Sequence, residues 1–206
     1  MRGAACHEDE GETYMLWLIV GLAIFLGVHS LSIVDRDFRN AMVAKLGLLP
    51  WKAVYSIVAL IGFVLLVKGY GMARVDPIVV YQPPAWTRHL TMLLMLPVFP
   101  ILLSAYLPGR IKSTLKHPML VATKLWAAAH LLANGGAHDL LLFGGFLAWA
   151  VVERISVQRR EEPVPAVAGK TRNDIIAILA GLGVYVLFVA WAHGAWIGAP
   201  LMPEAN

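Results

Sequence analysis

Long apolar runs alternate with short polar segments along the whole chain. Six runs can cross, or nearly cross, the roughly 30 Å of hydrocarbon in a bilayer; they cover residues 15–34, 53–71, 89–107, 118–133, 138–154 and 174–194. The fourth and fifth runs are short and only residues 134–137 separate them, which predicts a tight antiparallel hairpin. The pattern predicts an all-α, polytopic transmembrane helix bundle of about six spans. A partly re-entrant fourth and fifth run is the alternative.

Proline, glycine and short polar residues predict where several helices bend, begin or end. Pro97 and Pro100 should kink the third span. Pro118 suits the first turn of the fourth helix, and the glycine pair 135–136 suits its end. Asn173 or Asp174 is predicted to cap the last helix.

Basic residues predict the orientation of the spans. The polar segments after spans one, three and five carry twelve lysines and arginines, whereas the opposite side carries only Arg2, Arg74 and Arg88. Because cytoplasmic loops are enriched in Lys and Arg, both termini should lie on the non-cytoplasmic side. Six tryptophans lie mostly near span ends, as in an aromatic belt: Trp17, Trp51, Trp86, Trp149, Trp191 and Trp196.

Composition supports a membrane protein and excludes other classes. The chain is 59% hydrophobic and 15% charged, which is more apolar surface than a soluble domain can bury. Its net charge of +4 comes from basic loops, without the basic and aromatic surface stripe of a nucleic-acid-binding protein. The single cysteine, Cys6, excludes an intrachain disulfide.

Apart from its first fourteen residues, the chain is most simply interpreted as one domain. Residues 1–14 are polar and acidic, which predicts a disordered tail or an over-extended start, and a signal peptide fits them poorly because a basic segment is missing. Residues 161–169 form a proline-interrupted linker before the last helix. Residues 15–206 are predicted to form a single transmembrane domain.

His130 is the most informative of the seven histidines because it lies deep inside the fourth apolar run. An ionisable side chain within a membrane helix is costly and is therefore a candidate functional residue. Trp126 and Asn134, four positions to either side, share its helix face. Small residues before it, Ala127 to Ala129, allow a helix or a flat ligand to approach closely. A histidine that is hydrogen-bonded within the bundle remains the alternative to a metal ligand.

His29 is the best partner for His130, because it is the only other histidine well inside a span. Two imidazoles from facing helices can hold haem in a helical bundle. Counted from the basic loops, His29 lies about 8 Å and His130 about 18 Å into the membrane. Because both imidazoles would have to reach one iron at the same depth, the pair requires either a fourth helix that begins near Ser113 or tilted helices. His117 is thirteen residues from His130 and cannot share its metal.

A second metal site is a further alternative. Three histidines are predicted near the outer ends of spans three, five and six, where they could bind zinc or copper: His89, His138 and His193.

Five segments of the chain together form a recognisable motif: Lys116-His117-Pro118, residues 125–135, residues 141–149, Val28-His29-Ser30 and Tyr106-Leu107-Pro108. This motif resembles that of the NnrU family of bacterial membrane proteins. The resemblance covers about residues 15–155. Membership implies a multi-pass protein of the bacterial inner membrane that is linked to denitrification and nitric-oxide metabolism.

The NnrU family is similar to plant zeta-carotene isomerase, a membrane haem b enzyme. The resemblance implies haem b ligated by His29 and His130, with Trp126, Asn134 and His117 as further cofactor-binding candidates. Ala127 stands where the isomerase has a cysteine, so a switch to thiolate ligation is not available. The implied activity is redox chemistry, or an isomerase-like reaction on an apolar, isoprenoid-like substrate.

Two other functions remain open at this point. A non-enzymatic accessory or assembly protein would bind a component of a nitric-oxide reductase. A membrane methyltransferase is suggested by a resemblance of His117-Pro118, Arg154 and Arg160-Glu161-Glu162 to the S-adenosylmethionine site of such enzymes, although Lys116 replaces their arginine and a further span follows.

Overall fold

The computed structural model describes residues 2–159 and 169–201, with side chains from residue 13 onward except that of Ser32. Every regular element in this part of the chain is helical, and an isolated antiparallel bridge joins Val79 to Gly136. The elements are α1 (Arg2–His29), α2 (Leu31–Val34), α3 (Arg36–Leu46), α4 (Leu48–Ala73), α5 (Thr87–Met95), α6 (Val98–Ser104), α7 (Arg110–Leu115), α8 (Pro118–Ala133), α9 (Ala137–Arg159), α10 (Thr171–Leu187), a π-helical turn (Phe188–Ala192) and α11 (His193–Ile197).

All six apolar runs form helices, which confirms the all-α prediction. Among the described residues, four helical stretches are long and apolar enough to cross a membrane: Leu48–Ala73, Thr87–Ser104, Ala137–Arg159 and Thr171–Ile197. Two apolar stretches are shorter, Thr13–His29 and Pro118–Ala133. The fifth apolar run, residues 138–154, was predicted to form a short helix. This is wrong, because α9 extends beyond the end of that run to Arg159. The count of six spans and the orientation of the termini remain predictions.

The third and fourth apolar runs show how local sequence ends a helix. Helix α5 ends at Met95 and α6 begins at Val98, so the helix breaks at Pro97, as predicted. Pro100 lies inside α6 and does not interrupt it. Helix α8 begins at Pro118 and ends at Ala133, as predicted. The possibility that the fourth helix begins near Ser113 is wrong. That residue belongs to α7, and Lys116 separates the two helices with a positive φ of 61°.

The helices form two compact units. The first unit contains Met1–Gln82 and Asn134–Ser156, and the second contains Pro83–Ala133 and Val157–Asn206. The predicted linker, residues 161–169, lies outside the described residues except for its last residue, Gly169. The predicted tail at residues 1–14 and the single transmembrane domain remain predictions.

In the first unit, α1 packs on α4 at very short range. Three glycines make this possible: a Cβ atom on Gly21 would meet the backbone of Leu66, and one on Gly69 would meet the backbone of Leu18. A Cβ on Gly62 would lie 2.7 Å from the backbone nitrogen of Phe25. Small residues permit such close helix contacts in membranes. This crossing fixes the position of α1 and of His29 at its end.

In the second unit, α10 packs on α6, and α5 and α6 pack on α8. The predicted cap of the last helix at Asn173 or Asp174 is wrong, because Lys170 is the N-cap of α10. Asp174 instead accepts hydrogen bonds from the backbone nitrogens of Arg110 at 2.8 Å and Ile111 at 3.0 Å. A carboxylate at the first turn of α7 satisfies amides that have no partner within that helix.

Candidate functional site

His29 is the last residue of α1, and its ring is held in one orientation by its own helix. Its Nδ1 lies 2.6 Å from the carbonyl oxygen of Phe25, one turn earlier. A carbonyl oxygen only accepts hydrogen bonds, so Nδ1 carries the proton and donates it. In the neutral ring the lone pair is therefore on Nε2, the nitrogen with which an imidazole bound in this way ligates a metal.

Aromatic rings from three helices surround His29 within the first unit. The ring centroid of Phe25 on α1 lies 4.3 Å away, that of Tyr55 on α4 lies 5.4 Å away, and that of Trp149 on α9 lies 6.1 Å away. The last two rings meet the imidazole edge-on, at interplanar angles of 67° and 86°. His29 thus lies in an aromatic pocket.

Two polar groups of this pocket were not predicted as functional. Trp149 was assigned only to an aromatic belt, yet its indole Nε1 is buried and has no hydrogen-bond partner in the structure. Glu153 lies one turn further along α9 and is close enough to Tyr55 to interact with it electrostatically. The sequence offers one indication of this pair: Trp149 and Glu153 are four residues apart and share a helix face.

His130 lies on α8 in the second unit and has the same local arrangement as His29. Its Nδ1 lies 2.9 Å from the carbonyl oxygen of Trp126, so this nitrogen also donates its proton to the preceding turn. The Trp126 and His130 rings lie 5.4 Å apart. Because His29 and His130 belong to different units, their pairing remains a prediction.

The small residues beside His130 serve helix packing within the second unit. Ala127 and Ala129 are fully buried. The Thr91 hydroxyl on α5 donates a hydrogen bond of 2.8 Å to the carbonyl oxygen of Ala129. The alanines before His130 thus allow the close approach of a neighbouring helix, which was one of the two alternatives that the sequence left open for them.

The two remaining candidate residues flank α8. His117 directly precedes the helix; its backbone nitrogen donates to Leu115 at 2.6 Å, and its carbonyl oxygen accepts from Val121 at 3.2 Å. Asn134 directly follows the helix, and its carbonyl oxygen accepts a hydrogen bond of 2.8 Å from the Tyr81 hydroxyl. The structure therefore shows a backbone role for each residue at a helix end.

A buried polar cluster of the first unit contains His138, which the sequence indicated, together with Tyr70 and Asp139. The Asp139 carboxylate accepts hydrogen bonds from the Tyr70 hydroxyl at 2.8 Å and the Gly136 backbone nitrogen at 3.0 Å. His138 Nε2 lies 3.4 Å from the same carboxylate, and both residues are buried. Tyr70 and Asp139 are 69 positions apart, so no local pattern could have predicted this contact.

The loop beside this cluster contains Tyr81. Burial, and secondarily the Asp139 carboxylate, raise the pKa of the Tyr81 phenol above its ordinary value. Asp139 thus interacts with Tyr70 at the end of α4 and, electrostatically, with Tyr81 in the loop that follows α4.

The alternative metal site at His89, His138 and His193 gains no support. Among the residues that the structure describes, no group of three or more His, Cys, Asp or Glu side chains could hold a metal ion. His193 uses its Nδ1 to donate a hydrogen bond of 2.6 Å to the carbonyl oxygen of Ala199, and His138 contacts Asp139.

Comparison with known proteins identifies the family. The model of the NnrU protein family matches residues 17–201, most of the chain and all the candidate site residues. No curated protein and no solved structure matches the chain. The helices described above agree with a membrane protein of this family, and the match covers both His29 and His130. The chain therefore belongs to the NnrU family.

Proposed function

We propose that this NnrU-family membrane protein binds haem b through His29 and His130. In this proposal the protein crosses the bacterial inner membrane six times, with both termini on the non-cytoplasmic side. The assignment of the two ligands rests on the resemblance of the His29 and His130 motifs to those of a haem-binding isomerase. The proposed role is redox chemistry linked to nitric-oxide metabolism, or an isomerase-like reaction on an apolar substrate.

The contact between Nδ1 and a backbone carbonyl oxygen in each of the two histidines is the observation that supports the proposal most. In both residues Nδ1 donates its proton to the carbonyl oxygen four residues earlier, at 2.6 Å from Phe25 and 2.9 Å from Trp126. Histidines that ligate a metal usually donate their second N–H to a carbonyl or carboxylate, which fixes the ring and raises its basicity. Two neutral imidazoles of this kind are a donor set that suits haem iron.

The residues around the histidines have separate roles in this proposal. Phe25 and Trp126 hold the two rings through their backbone carbonyls. Tyr55 and Trp149 contact the His29 ring and limit the access of water to it. Bound haem would supply one-electron chemistry. Ala127 offers no thiolate, so a redox-driven exchange of the axial ligand is not part of the proposal.

The depth of the two histidines sets a geometric requirement. His29 ends α1, whereas His130 lies twelve residues after the start of α8, which corresponds to about 18 Å of helix rise. Because α8 begins at Pro118 and not earlier, tilting of the helices has to compensate for the difference. A tilt of about 20°, which is ordinary in membrane helices, shortens a rise of about 18 Å along the membrane normal by only about 1 Å, so the start of α8 also has to lie outside the hydrocarbon region.

Haem content and the absorption spectrum of detergent-purified protein test the proposal. Wild type should contain haem with a low-spin Soret band and a sharp α band, and His29→Ala and His130→Ala should each lose that spectrum. His193→Ala is the matched control, because His193 makes the same Nδ1–carbonyl hydrogen bond but is not a proposed ligand. An unchanged spectrum in His130→Ala would contradict the proposal. Cofactor-free protein that co-purifies with a reductase subunit would instead support an accessory role.

A further inference from the structure

Helix α3 combines an apolar stripe with basic residues on both of its sides. Phe38, Met42 and Leu46 are spaced four residues apart, so they lie on one face of the helix. Arg39 and Lys45 project about 60° to either side of the direction of Met42. Helices with this arrangement lie in the interface of a membrane, where the apolar stripe enters the bilayer and the cations meet anionic lipids.

The apolar face of α3 is exposed in the structure. None of its residues is buried, and the side chains of Phe38 and Leu46 are 46% and 45% exposed. The helix is nevertheless well defined at its start, because the Asp35 carboxylate accepts a hydrogen bond of 2.8 Å from the backbone nitrogen of Phe38. Packing within the protein therefore covers the apolar stripe only in part.

The position of α3 in the chain places it at the membrane surface. It ends at Leu46, and the membrane-crossing helix α4 begins at Leu48 after a single glycine. The apolar side chains of α3 are thus within a few residues of the hydrocarbon region. A lipid surface is the partner that the chain itself brings to this face.

An apolar groove adjoins α3 within the first unit. It has a volume of about 410 Å³, which is in the range of ligand sites. Its walls come from α1, α2 and α4 and include Gly27, Leu31, Trp51 and Val54. Trp51 also packs edge-on against Phe38, with ring centroids 6.5 Å apart. The aromatic pair connects the stripe of α3 to the wall of the groove.

We propose that α3 and this groove form a binding site for an anionic phospholipid of the surrounding bilayer. Arg39 and Lys45 bind the phosphate-bearing headgroup, and the groove holds part of an acyl chain. The Arg39 guanidinium donates one hydrogen bond to the Asn40 side chain at 3.0 Å, and its planar fork has further N–H donors that suit a phosphate. The two cations beside the stripe favour an anionic headgroup over a zwitterionic one.

The charge contribution can be stated as a change in lipid selectivity. A Lys or Arg near an anionic membrane surface contributes roughly 1 kcal/mol, which corresponds to about a fivefold change in relative affinity. Removal of both cations should therefore lower the preference for anionic over zwitterionic lipid by about 25-fold, or to no preference if the wild-type selectivity is smaller than this.

Spin-labelled lipids in vesicles that contain the full-length protein test the proposal. We expect the wild type to immobilise a larger fraction of phosphatidylglycerol than of phosphatidylcholine, and Arg39→Gln/Lys45→Gln to reduce this difference strongly. Arg36→Gln is the matched control, because it removes the same charge from α3 about 120° from the stripe. Equal immobilisation of the two lipids by the wild type overturns the proposal, as does an equal effect of Arg36→Gln and of Lys45→Gln alone.

Accessibility of spin labels on α3 provides a second measurement that does not depend on the charge variants. In a Cys6→Ser background, a label at Met42→Cys should be accessible to oxygen from the lipid phase. A label at Asn40→Cys should be accessible to a water-soluble nickel complex. Water accessibility of both positions would overturn the proposal even if the protein still selected anionic lipid.

Discussion

The crossing of α1 and α4 predicts that a single methyl group at Gly62 disturbs the His29 pocket. A Cβ atom at this position would lie 2.7 Å from the backbone nitrogen of Phe25 and 2.9 Å from Cγ2 of Ile24. A backbone nitrogen cannot move aside in the way that the end of a flexible side chain can. Gly62→Ala should therefore push α1 away and displace Phe25, whose carbonyl oxygen orients His29.

The magnitude follows from comparison with a glycine in the same helix that faces open space. A Cβ atom on Gly71 would have no neighbouring atom within 4 Å, so Gly71→Ala should be neutral or stabilise by up to about 1 kcal/mol through helix propensity. The same propensity gain applies to Gly62→Ala and cancels in the comparison. Overpacking costs about 1–3 kcal/mol, so Gly62→Ala should be less stable than Gly71→Ala by this amount.

Reversible unfolding in mixed detergent micelles, followed by circular dichroism, measures this difference in unfolding free energy. Equal stability of Gly62→Ala and Gly71→Ala would show that α1 and α4 do not approach as closely as described. A haem-loaded sample adds a second observation, because the Soret band should shift in Gly62→Ala and stay unchanged in Gly71→Ala.

Three further predictions concern other parts of the chain. Asp174→Ala should lower the unfolding free energy by about 1.5–3 kcal/mol and speed hydrogen exchange at the backbone amides of Arg110 and Ile111, which lose their acceptor. Unchanged exchange at both amides would contradict this prediction. The raised pKa of Tyr81 means that its contribution to stability is complete below about pH 10 and is lost as the pH rises through the folded-state pKa. Between about pH 9 and pH 12, the unfolding free energy of wild type should therefore fall more steeply with pH than that of Tyr81→Phe. Parallel curves of unfolding free energy against pH would refute this prediction. Trp149→Phe should change the stability of haem-free protein by less than about 1 kcal/mol, because removal of an unsatisfied buried N–H offsets lost contacts; a larger loss measured by unfolding would show that the indole N–H has a partner.

The sequence predicted the parts of the fold that depend on local chemistry. The start of α8 at Pro118, its end before the glycine pair and the break at Pro97 all follow from proline and glycine effects on neighbouring residues. The length of α9 was underestimated because the apolar pattern ends before the charged residues that continue the helix. Residues with long charged side chains can continue a helix at a membrane surface, because their charged ends extend toward water.

The features that the sequence did not predict depend on residues far apart in the chain. Asp174 was assigned as a cap for its own helix, but its carboxylate binds amides 63 and 64 positions earlier. His29 was recognised from its position in an apolar run, whereas Tyr55 and Trp149 reach it only through the packing of α4 and α9. Both cases need the tertiary arrangement, because helix periodicity indicates a shared face and not the partner across from it.

Low-temperature electron paramagnetic resonance of the ferric, haem-loaded protein tests haem ligation by His29 and His130 most directly, because the spin state reports the axial ligands. Ligation by both histidines predicts a low-spin signal in the wild type and in His193→Ala, and conversion to a high-spin signal in both His29→Ala and His130→Ala. A low-spin signal that persists unchanged in either His29→Ala or His130→Ala would contradict ligation by both histidines.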